Sequence, residues 1–143
     1  MIRRFKDEGY RVGAIKHDAH DFDTDHPGTD TWRHRKAGAD AIAITSQRRT
    51  AIVSEKHTPL QELLQQMRTM DFVFVEGFKH EPYPKIVIVK KKGDEMLVQQ
   101  LDHVRAVVTW LPECNLGFDG VPVFSIHDSE SLFQWVCRTL IKR

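Results

Sequence analysis

Apolar residues along the chain fall into two kinds of run. Phe72-Val73-Phe74-Val75, Ile86 to Val89 and Val104 to Trp110 are β-favouring and lack strict alternation, the pattern of parallel strands covered on both faces. Leu60, Leu63, Leu64 and Met67 recur instead at helical spacing behind Pro59, a residue suited to a helix start. A last helix is capped by Asp128 or Ser129; its Leu132, Val136 and Leu140 share a face that Phe133, Cys137 and Ile141 widen. Shorter strands are predicted at Tyr10 to Ile15, Ala39 to Thr45, Thr50 to Val53 and Val121 to Ile126. A short helix runs from a Thr29 or Asp30 cap through Lys36 and ends near Gly38. Arg48-Arg49, the proline-stiffened segment Glu81 to Lys85, Lys90 to Asp94 and Leu111 to Gly120 read as turns or loops. Strands alternating with helices give the α/β class, a mainly parallel sheet with helices on both faces. No repeat or low-complexity tract divides the 143 residues, so a single domain is expected.

The opening segment breaks the pattern. Met1 to Glu8 has the composition of a helix, with Ile2 and Phe5 three apart and Gly9 as its stop, yet no capping side chain precedes it. It reads as though it began inside a longer helix.

Charge adds little to this picture. Lys and Arg number 21 against 20 Asp and Glu, and the formal charge of +1 points neither to nucleic acid nor to an anionic membrane surface. Arg33 to Lys36, Arg48-Arg49 and Lys90 to Lys92 are basic clusters expected on solvated faces. No apolar run is long enough to span a bilayer and the start lacks a secretion signal, so a cytoplasmic protein is expected. Cys114 and Cys137 have no metal-ligand spacing; Cys137 belongs with the apolar face of the last helix.

Chemistry concentrates in two places. Glu76-Gly77 follows the Phe72–Val75 strand, where open α/β sheets bind ligands; an acid there can meet a cation, and equally it can be a solvated strand end. Lys16 to Asp30 is the densest ionisable segment, with His17, His20 and His26 among Asp18, Asp21, Asp23 and Asp25. Its carboxylates would suit Mg²⁺ and its imidazoles a transition metal, but neither set has a recognised spacing, and a mobile polar loop is the simpler description.

The stretch KHDAHDFDTDHPGTDTWRHRKAGADA (Lys16 to Ala41), together with DFVFVEGFKHEPYPKI (Asp71 to Ile86), closely resembles the MobB family of molybdopterin-guanine dinucleotide biosynthesis adaptor proteins. The resemblance implies a three-layer fold similar to the SIMIBI-type P-loop GTPases, GTP and Mg²⁺ as cofactors, and weak hydrolysis at most. It further implies a homodimer that works beside the molybdenum cofactor guanylyltransferase, which attaches GMP to molybdopterin. Glu76 matches the Walker B acid that would hold Mg²⁺ directly or through water, with Gly77 after it. Lys16, His17 and Asp18 match the segment facing the nucleotide phosphates, and Lys79 and Lys85 flank the loop after Walker B. Asp30, Arg33, Lys36 and Gly38 match the stretch before the third strand; with Lys85, the first three are candidates for the cofactor or partner side.

One departure is plain. No G-x-x-x-x-G-K-[ST] loop occurs anywhere, and no N-K-x-D motif marks a guanine site. The resemblance implies that a strand, the phosphate loop and the first helical turns, roughly twenty residues, would precede Met1. The expectations are weak or absent GTP binding and a sheet short of one strand. A nucleotide-independent binding module for the guanylyltransferase or the cofactor-insertion machinery is the alternative, and a His/Asp transition-metal protein a third reading.

Overall fold

The computed structural model describes residues 1–18, 20–112, 118 and 120–141. Helix α1 (Ile2–Asp7) leads into strand β1 (Val12–Lys16), followed by α2 (Asp30–Lys36), β2 (Ala41–Thr45) and β3 (Thr50–Ser54). Next come α3 (Leu60–Gln66), β4 (Phe72–Glu76), β5 (Lys85–Val89), α4 (Met96–Gln100), β6 (Val104–Thr109), β7 (Val123–Ser125) and α5 (Ser129–Thr139). Each expected strand and helix is present, with ends shifted by one or two residues.

Local chemistry explains several of these boundaries. At the end of α1 the Gly9 N–H donates to the Lys6 carbonyl and the Tyr10 N–H to that of Phe5, with Gly9 at φ +86°. This pair of bonds is a Schellman stop, and the usual apolar contact across it is made by the Phe5 and Tyr10 rings, 5.9 Å apart. Thr29 caps α2 by accepting from the Trp32 N–H at 3.3 Å, and Asp128 caps α5 by accepting from the Ser131 N–H at 3.0 Å. At the start of β1, Asp71 accepts from both the backbone N–H and the guanidinium of Arg11, which fixes the β1–β4 register.

The strands form three sheets. β1 and β4 are a parallel pair, β5-β6-β7 a parallel sheet of three, and β2 and β3 an antiparallel hairpin. Helices cover β5-β6-β7 on both faces. Ile86, Val108 and Phe124 join a core with Phe5 of α1 and Leu132 and Val136 of α5, whereas Val87, Val89 and Val107 pack with Leu97, Val98 and Leu101. Phe72 and Phe74 of β4 join the first of these cores. On β1, Gly13 lies against the side chains of Met67 and Met70.

Burial corrects one expectation. The run that is wholly covered is Ala106 to Thr109 of β6, the central strand of its sheet, and not Phe72 to Val75. In β4, Phe72, Val73 and Phe74 are half-buried and Val75 is 37% exposed, because β4 has a partner on one edge only among the described residues. β5 likewise pairs on one edge, with Ile88 exposed. The strands are mainly parallel as expected, and β2 and β3 add an antiparallel hairpin closed by a Thr45–Thr50 hydroxyl contact of 2.8 Å. Helix α4 has no counterpart in the sequence reading. The expected loop from Leu111 to Gly120, with Cys114, lies largely outside the described residues.

Two outcomes follow from this packing. Unpaired parallel edges on β4 and β5 promote strand addition, so sedimentation velocity should show concentration-dependent self-association; a monomer with ordinary, cooperative thermal unfolding would contradict this. Phe5→Ala removes the ring at the centre of the first core and should cost about 3–5 kcal/mol in urea unfolding.

Candidate functional site

β1 and β4 end side by side, with Lys16 opposite Glu76 as the last pair of their ladder. The His17 N–H then donates to the Glu76 carbonyl at 2.9 Å, carrying the pairing one residue beyond the strands. Gly77 follows at φ +85°, and a Cβ there would stand 2.9 Å from His17 Cβ and 3.1 Å from the His17 carbonyl oxygen. Glycine is therefore needed twice, for the backbone conformation and for the approach of the two chains. Phe78 also takes a left-handed conformation, φ +49°, and its ring lies 4.7 Å from the His17 imidazole. Such strain in a non-glycine residue persists only where its surroundings hold it.

This turn presents several charged groups to solvent. Lys16 Nζ lies 3.9 Å from Asp18 Oδ2, an exposed pair that leaves both groups free to exchange partners. Among the described residues nothing engages the carboxylate of Glu76 or the ammonium of Lys79. The structure thus brings Lys16, His17, Asp18, Glu76 and Gly77 together at the carboxyl ends of two parallel strands, where α/β sheets place ligands. A lone exposed carboxylate suits Mg²⁺, which takes one or two protein carboxylates and completes its shell with water and phosphate. Among the described residues no group of three or more His, Cys, Asp or Glu could hold a metal ion, so the transition-metal reading gains no ligand set.

The remaining candidates lie elsewhere. Asp30 and Arg33 form an exposed pair within α2 at 3.5 Å, and Lys36 stands 5.9 Å above the Trp32 ring. Lys85 opens β5 and its ammonium donates to three backbone carbonyls, those of Glu81, Tyr83 and Asp102.

Arg35, which the sequence reading passed over, organises the ionisable segment. Its side chain is 14% exposed and faces three carboxylates: Asp23 at 2.7 Å, Glu55 at 3.6 Å and Asp25 at 3.9 Å. Asp25 also accepts from the Thr31 hydroxyl at 2.9 Å, while its other oxygen is buried without a hydrogen bond. Two acids expected to meet a metal or face solvent are thereby tied to α2 and to the end of the hairpin. The only sequence signal was a D-x-D pair upstream of a basic helix turn. Asp23 titrates below the ordinary carboxylate range, first because the Asp25 N–H donates to it and second because Arg35 does.

Two measurements test this geometry. The Asp23–Arg35 contact stabilises the fold above the ordinary carboxylate pKa and is lost as pH falls through the lowered value. In Arg35→Met, NMR titration should show the Asp23 pKa rising toward, without reaching, its ordinary value, since the Asp25 N–H remains; an unchanged pKa contradicts the contact. Gly77→Ala should destabilise by about 1–3 kcal/mol in urea unfolding, more than Gly28→Ala, where only backbone strain applies.

Comparison with known proteins identifies the family. A family described as "Molybdopterin guanine dinucleotide synthesis protein B" (MobB) matches residues 1–110. The "Molybdopterin-guanine dinucleotide biosynthesis adapter protein" of Escherichia coli (strain K12) is 37% identical over 145 aligned positions, covering 94% of this chain and 79% of that protein. The "Probable molybdopterin-guanine dinucleotide biosynthesis adapter protein" of Bacillus subtilis (strain 168) is 30% identical, with 90% and 76% covered. Among solved structures, Bacillus subtilis MobB superposes with a TM-score of 0.78 at 26% identity, covering 96% of this chain and 85% of that one. The Bacillus stearothermophilus MobB homologue gives 0.74 at 28%, with 96% and 82% covered. By its family match, its relatives and its fold, this chain belongs to the MobB family.

Proposed function

We propose that this chain is an adaptor in molybdenum cofactor biosynthesis, of a GTP-binding type, with GTP binding impaired in a polypeptide of residues 1–143 alone. In this reading it works in the cytoplasm beside the guanylyltransferase that attaches GMP to molybdopterin, forming molybdopterin guanine dinucleotide. The observation that carries it is the unengaged Glu76 carboxylate at the end of a parallel strand, across from Lys16 and held by the Gly77 approach to His17. A carboxylate so placed serves Mg²⁺ on a nucleotide, and Lys16 and Lys79 offer charge to phosphate. Among the described residues no helix is long and apolar enough to cross a membrane. A homodimer belongs to the same reading.

A second reading is a binding module for the guanylyltransferase or the cofactor-insertion machinery that needs no nucleotide, since residues 1–143 taken alone hold no G-x-x-x-x-G-K-[ST] loop. A polypeptide of residues 1–143 alone would hold no backbone N–H cradle and no lysine of that loop to grip β- and γ-phosphates. Calorimetry with GTP and Mg²⁺ should give no micromolar binding, and micromolar affinity would overturn the expectation of impaired binding. The two readings part at Glu76. If nucleotide turnover contributes, Glu76→Gln lowers GTP hydrolysis and the stimulation of dinucleotide formation together; for a nucleotide-independent module, the stimulation is unchanged.

A further inference from the structure

Lys85 lies in the segment that the family resemblance assigns to cofactor or partner contact, yet its geometry points inward. An ammonium has three N–H donors. All of them are taken, by the carbonyls of Glu81, Tyr83 (3.0 Å) and Asp102 (3.2 Å). Its own backbone N–H donates to the His103 carbonyl at 2.9 Å. Lys85 therefore grips two segments at once, the Glu81–Pro84 loop and the Asp102-His103 turn leading into β6. That turn holds His103 at φ +60°, a left-handed conformation that needs something to maintain it. The surrounding cleft measures about 80 Å³, far below the roughly 300 Å³ at which small-molecule sites begin.

The loop that Lys85 grips is the one leaving the strand-end turn. The Glu81 N–H donates to the Phe78 carbonyl at 3.0 Å, and the Phe78 ring packs on His17. We propose that Lys85 is a positioning residue, an internal cation that fixes the Phe78–Pro84 loop against the entrance to β6 and so holds the turn carrying Glu76, rather than a group that meets phosphate, cofactor or partner. With the ammonium removed, three carbonyls converge on a cationic vacancy, which a small alkylammonium can fill.

Hydrogen exchange on the full chain tests this by chemical rescue. In Lys85→Ala the amides of Glu81 and Tyr83 should exchange at least about tenfold faster, while those of Ala106 to Val108 in β6 keep their protection. n-Propylammonium should restore the slow exchange. Tetramethylammonium, which carries the same charge without an N–H donor, should not. Where Lys85→Ala also loosens β6, Lys85→Met, which keeps the apolar stem and leaves no room for an alkylammonium, is read by its loop exchange alone, with the same faster exchange expected. Unchanged loop exchange in the variant, or equal rescue by both cations, overturns the proposal. Loss of guanylyltransferase binding with loop exchange intact overturns it as well, and returns Lys85 to the partner surface.

Discussion

Phe5 is fully buried, and its ring meets Phe72 at 4.4 Å, Phe133 at 5.0 Å and Phe74 at 5.5 Å. Those rings belong to β4 on one side and to α5 on the other, and Val108 of β6 completes the same core. No hydrogen-bonded ladder joins the β1–β4 pair to β5-β6-β7 among the described residues. Apolar packing around one ring, with the Arg4–Glu130 contact between α1 and α5, is therefore what couples the two parallel sheets. Packing of this kind is strong but not directional. It holds the sheets together while leaving the edges of β4 and β5 able to accept another strand.

The candidate site is built at the end of a single parallel pair. Lys16 and Glu76 are set by the β1–β4 register, which Asp71 and Arg11 fix at the opposite end of the ladder. Beyond the strands the chain runs through two left-handed residues, Gly77 and Phe78, into a loop held by Lys85. A second arrangement, centred on Arg35, gathers Asp23, Asp25 and Glu55 and ties the ionisable segment to α2 and the hairpin. The charged groups of this protein thus divide by use. Arg35 faces three carboxylates and Lys85 donates to three carbonyls inside the fold, whereas Lys16, Lys79 and Glu76 are exposed.

Where local chemistry decides the structure, the sequence was legible. Gly9 ends α1, Thr29 and Asp128 cap α2 and α5, and the apolar runs are strands. The strand-end site was legible for the same reason, since an acid and a glycine after an apolar run are neighbours in the chain. Distant partners were not legible. Helix α4 has no side-chain cap and little apolar periodicity, so only its packing on β5 and β6 forms it. β4 has the composition of a buried strand and is half-exposed because burial depends on which strands flank it. Arg35 and Lys85 bind groups between 2 and 20 positions away, two of Lys85's in sharp turns, and no residue pattern announces a contact to a backbone carbonyl.

The most direct measurement is calorimetric titration of this chain into purified molybdenum cofactor guanylyltransferase, with and without GTP and Mg²⁺. An adaptor that needs no nucleotide binds the enzyme with the same Kd in both conditions, to within about twofold. Failure to bind, or binding that appears only when GTP and Mg²⁺ are present, would contradict this.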